Sequence, residues 1–118
     1  MKVNILGTEY EIIKRKYGDD PEFEKRSIDG YHNGMTKQIV YCDMSTWPEW
    51  DGYDTEHINQ SEKQTLRHEI AHAFLHESGL AESSLVYGRG WANNEEMVDW
   101  IALQGPKLWE AWRATGAL

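Results

Sequence analysis

The sequence has one cysteine, three prolines and twelve basic residues against twenty acidic ones. A single thiol, Cys42, excludes an internal disulfide and any zinc site built from several thiolates, and it suits a reducing, cytoplasmic setting. The formal net charge of -8 argues against nucleic acid as a partner, because phosphate neutralisation needs clustered Lys and Arg. No apolar run approaches the ~20 residues that cross a bilayer, and no apolar signal segment follows Met1-Lys2, so no membrane partner is expected. Repeats, low-complexity tracts and Gly/Ser linkers are missing as well, which leaves residues 1–118 as one domain. What is present suits a packed core: 118 residues, 40% of them hydrophobic, with six Trp. Three of the five histidines fall between positions 68 and 76.

The negative charge is concentrated. Residues 1–28 carry six basic and six acidic groups, whereas residues 43–62 carry Asp43, Glu49, Asp51, Asp54, Glu56 and Glu62 with no Lys or Arg. That stretch, which also holds Trp47, Trp50 and Tyr53, reads either as a solvated acidic loop or as a substrate rim that favours basic peptides.

The N-terminal third reads as antiparallel β. Residues 3–6 and 10–13 form one expected hairpin turned at Gly7-Thr8. Residues 30–32 and 35–42 form a second, in which Asn33-Gly34 suits a type I′ turn. Residues 19–26 fit a short helix or a turn. At Ser61 the pattern changes: Ser61-Glu62-Lys63-Gln64 matches a capping box, and Leu66, Ile70, Ala73 and Phe74 recur at helical spacing up to Gly79. After a loop over 79–92, Asn93 or Asn94 caps a second helix over 95–104, with Met97, Val98 and Ile101 on its apolar side. Gly105-Pro106 ends it and opens a short third helix bearing Leu108, Trp109 and Trp112, either core or contact surface. Strands followed by helices give an α+β fold, a small antiparallel sheet packed on a helical part.

The chemistry lies in His68-Glu69-Ile70-Ala71-His72, an H-E-x-x-H sequence on the first long helix. Residues four apart lie about 40° apart around the axis, so both imidazoles reach one ion from one face. Two neutral imidazoles leave room for a third ligand and water, and Glu69 beside them is placed as general base for that water. On the next helix Glu95 and Asp99 are also four apart; Glu95 serves as third ligand and Asp99 as acceptor for a ligating histidine's N–H. His76, turned roughly 80° from His68, fits a C-terminal or supporting residue better than a ligand. His32 and His57 carry no assignment from spacing alone, except that His57, Tyr53, Tyr87 and Arg89 are candidates to stabilise an oxyanion or touch substrate. The strand over 35–42 is a possible edge for peptide binding, and Cys42 is a plain strand residue.

These residues resemble the gluzincin type of zinc metallopeptidase, in which an N-E-x-x-x-D segment, here Asn94-Glu95 to Asp99, supplies the third ligand and a histidine support. The variant H-E-x-x-H-x-x-G-x-x-H is not met, because Leu75 and Ser78 replace its Gly and last His. Among small bacterial and phage proteins the chain is similar to the ImmA/IrrE metallo-endopeptidases. The matching segments are His68-Glu69-Ile70-Ala71-His72-Ala73-Phe74-Leu75-His76 and Glu95-Glu96-Met97-Val98-Asp99-Trp100-Ile101-Ala102, with Val98 and Ile101 where that family usually has Ala and Phe. The resemblance covers roughly residues 60–105. It implies a minimal zincin-like fold, a Zn2+ cofactor and hydrolysis of a protein or peptide substrate. Two other readings fit the residues: a zinc-stabilised protein-interaction module without turnover, and a metal-free domain with incidental histidines.

Overall fold

A computed structural model describes residues 1–83 and 90–118, apart from the side chains of Glu82 and Ser83. Four strands, β1 (Lys2–Ile5), β2 (Thr8–Lys16), β3 (Gly30–Asn33) and β4 (Gln38–Asp43), form one sheet in the order β1-β2-β4-β3. The helices are α1 (Pro21–Arg26), α2 (Thr55–Glu77), α3 (Leu80–Ser83) and α4 (Glu95–Ala114), with single 3-10 turns between elements. The class is α+β, as the strand-then-helix order indicates.

Two hairpins build the sheet, but they meet in parallel. β1 pairs with β2 and β3 with β4 antiparallel, while β2 and β4 run in the same direction with Ile12 opposite Ile39. The wholly antiparallel expectation is therefore corrected to a mixed sheet. The chain crosses one face through α1 before β3, so β3 lands on the outside and β4 fills the place beside β2. The strand over 35–42 is accordingly interior, and β3 is the edge.

Both turns differ in detail from the sequence expectation. Ile5 pairs with Thr8, so the first turn is Leu6-Gly7, with φ of 50° and 89°. That is the pair of positive angles a two-residue hairpin of right-handed twist requires, and the Asn4 side chain accepts the Gly7 N–H at 2.9 Å. In the second hairpin Asn33 pairs with Gln38, leaving a four-residue loop. Asn33 Oδ1 accepts the Met35 and Thr36 N–H groups at 3.0 and 3.1 Å, so its side chain closes the loop in place of a type I′ backbone.

Strand alternation sends one set of side chains to each face. Ile5, Tyr10, Ile12 and Ile39 pack with Ala73 of α2, while Val40, Cys42 and Met44 pack with Phe23 of α1. Each fully buried aliphatic side chain here contributes about 1.5–3 kcal/mol. Two polar links fix where α2 lies on its face. Buried Glu62 accepts from Lys14 Nζ at 2.8 Å and from the Met44 N–H at 2.9 Å, and Thr65 donates to Asp29 at 2.9 Å.

α2 begins seven residues earlier than the Ser61 capping box suggests. Asp54 is the cap, accepting the His57 N–H at 2.7 Å, and Ser61 lies within the helix. α4 also outruns its expected end, continuing through Gly105-Pro106 to Ala114. Proline removes the N–H that would bond the carbonyl four residues back. That carbonyl, of Ala102, instead accepts from the Arg67 guanidinium of α2 at 2.6 Å. Beyond this point Trp109 and Trp112 are exposed rather than core. No helix among the described residues is long and apolar enough to cross a membrane.

Candidate metal centre

His68 and His72 project from α2 with their Nε2 atoms 3.1 Å apart. Glu95, the first residue of α4, brings its carboxylate to the same point, 3.0 Å from His68 Nε2 and 3.2 Å from His72 Nε2. Asn94 sets this placement: its side chain accepts the Met97 N–H at 2.9 Å, which starts the helix immediately before Glu95. One turn on, Asp99 Oδ1 lies 2.7 Å from His68 Nδ1. The four residues that spacing selected as ligands and support, His68, His72, Glu95 and Asp99, are thus brought together.

This arrangement has a chemical consequence. With its proton on Nδ1, donated to Asp99, His68 would present the Nε2 lone pair to a metal. That lone pair faces the Glu95 carboxylate and His72 Nε2, with the three ligand atoms all within 4.8 Å of one another. Two imidazoles and one carboxylate are a donor set that could hold a metal ion.

Glu69 is buried beside the triad, 6% exposed. One carboxylate oxygen, Oε1, lies 4.0 Å from His68 Nε2, and the other, Oε2, lies 3.8 Å from His32 Nδ1. His32 comes from β3 and stacks on the His72 ring, centroids 5.4 Å apart and planes 11° from parallel. Sequence spacing left His32 unassigned. The signal was a glycine two residues before it on the same strand face. A Cβ at Gly30 would lie 2.6 Å from Thr65 Cγ2, so only glycine lets β3 approach α2 closely enough to deliver His32. On the opposite face Tyr31 donates to Asp20 at 2.6 Å and anchors the strand; burial first, then that bond, pushes the phenol up to about 12.

The remaining candidates lie elsewhere. His57 packs against Trp50 and Tyr53 at the first turn of α2, with centroids 5.0 and 4.8 Å away. It is eleven residues, about 16 Å of helix, from His68. Neither His57 nor Tyr53 lines the cleft. Tyr87 and Arg89 lie outside the described residues. His76 tilts against His32 at 6.1 Å and sits against Gly34, outside the ligand set. Burial pushes the Cys42 thiol up to about 11, which suits an inert strand residue.

A cleft of about 640 Å³ opens in front of the triad, between residues 26–32, α2 and the start of α4. No residue of the acidic stretch 43–62 lines it. Asp43 and Asp54 cap helical turns and Glu62 binds Lys14, so half of its carboxylates serve the fold and the rim reading is not supported. Along the cleft runs the outer edge of β3, with which no other strand of the described residues pairs. The Cys42 N–H bonds to Asp29 O at 2.8 Å, and alternation then turns the N–H and C=O of Gly30 and His32 outward.

Comparison of the chain with protein-family models, with curated proteins and with solved structures returns no match in any of the three.

Proposed function

We propose that this chain is a zinc-dependent endopeptidase of the ImmA/IrrE type. One observation carries the reading: two imidazole nitrogens and a carboxylate from separate helices converge on one point, with a buried carboxylate beside them. His68, His72 and Glu95 hold the ion, and Asp99 fixes the His68 tautomer. When bound, zinc supplies Lewis acidity toward a water and a peptide carbonyl. Glu69 takes the proton released as water attacks the carbonyl and returns it to the leaving amine as the C–N bond breaks. A site held only for folding has no use for a base at that position. The outward groups of Gly30 and His32 can pair with an extended peptide across the cleft. The substrate in this reading is a protein or peptide, nucleic acid is no partner, and Cys42 stays a free thiol in a reducing, cytoplasmic setting.

The test combines zinc stoichiometry with cleavage of a degenerate peptide library. Wild type and Glu69→Gln are both expected to bind one zinc, with cleavage lower by about 10²–10⁴-fold in the variant. Equal cleavage by the two proteins overturns the assignment. Zinc bound without turnover in wild type favours the interaction module.

A further inference from the structure

We infer that His32 is a positioning residue for Glu69, holding one carboxylate oxygen so that the other faces the ligand cluster. The inference rests on the endopeptidase reading and adds to it a residue from the sheet. Three observations support it. The Glu69 side chain is largely buried at the wall of the cleft, and among the described residues no hydrogen bond reaches its carboxylate. With no hydrogen bond to hold it, the orientation of the carboxylate depends on the rings beside it. The two nitrogens within ion-pair distance of it lie on opposite oxygens, His68 Nε2 toward Oε1 and His32 Nδ1 toward Oε2.

His32 is itself held in place. Its ring lies nearly parallel to that of His72, and its strand is pinned by Gly30 against Thr65 on one face and by Tyr31 on Asp20 on the other. An N–H carried by a fixed ring sets the carboxylate plane without any helix rearrangement. At 3.8 Å the pair is longer than a hydrogen bond, as contacts of a catalytic base often are before substrate binds. The division of labour is then simple: α2 supplies the base and β3 aims it.

Two substitutions separate aiming from packing. His32→Phe keeps a ring to stack on His72 but has no N–H, whereas His32→Asn keeps an N–H near the Nδ1 position and loses the stack. Both are expected to retain one zinc and the wild-type melting temperature. On a peptide identified from the library, His32→Phe should lower kcat by about 10–100-fold with KM within about threefold, and His32→Asn should recover most of that loss. Full kcat in the Phe variant, or an Asn variant as slow as Phe, overturns the inference. So does loss of zinc in step with activity, which would make His32 a support for His72. A wild-type protein with no zinc-dependent cleavage removes the endopeptidase reading, and the inference with it.

Discussion

Asp99 meets His68 at the nitrogen that faces away from His72 and Glu95. In the proposed zinc site its 2.7 Å contact to Nδ1 would select the tautomer that leaves Nε2 free for the metal. Removing it in Asp99→Ala should weaken zinc binding by about 10-fold, the low end of such effects, because this carboxylate is exposed and water can replace it in part. Asp99→Asn retains an acceptor and should lose less. Zinc competition against a chromophoric chelator gives both values; unchanged affinity in the alanine variant removes the tautomer argument. The four-residue spacings identified His68, His72, Glu95 and Asp99 because a helix converts sequence separation directly into a shared face. His32 had no such signal, since a strand residue acquires its neighbour only when the sheet packs.

At the scale of elements, α4 shows how a tertiary contact overrides a local rule. Gly105-Pro106 ends a helix in isolation, because the Ala102 carbonyl loses its partner. Arg67 supplies a replacement from α2, so α4 stays continuous and its first turn, with Glu95 and Asp99, keeps a fixed direction relative to His68. Arg67→Ala is expected to cost about 1–2 kcal/mol in urea unfolding, the price of a buried carbonyl left without a charged donor. An unchanged unfolding midpoint would show that the proline break is tolerated without it. The start of α2 was hidden for a different reason. Residues 55–60 are mostly polar and carry no apolar periodicity beyond Ile58, so Ser61 looked like a beginning although Asp54 is the cap.

Across the whole molecule, one carboxylate ties the hairpins to the end of α2. Glu77 accepts from Lys37 and from the hydroxyls of Tyr10 and Thr8, joining β2, the second hairpin loop and α2. The Lys37 ammonium first, then Tyr10, holds this carboxyl down to about 2, against an ordinary value of 4.5. A group depressed on folding stabilises the fold fully above its unfolded value, and that contribution fades as pH falls from about 4.5 toward 2. Wild type should therefore lose more stability between pH 6 and pH 3 than Glu77→Gln does. Urea midpoints of both proteins at the two pH values decide it, and parallel losses would count against the link.

The sequence by itself determined the α+β class, the helix that carries His68, Glu69 and His72, and the pairing of Glu95 with Asp99. Each follows from periodicity along one chain segment, where backbone geometry alone sets which side chains share a face. Only the tertiary structure decided that β4 lies inside the sheet and β3 at its edge, that α4 runs through Pro106, and that His32 meets Glu69. Those outcomes depend on contacts between segments distant in sequence: a crossover that places β3 outermost, an Arg67 donor from another helix, and a glycine that permits a strand to approach. No local pattern encodes such contacts, because their energy exists only once both partners are in place.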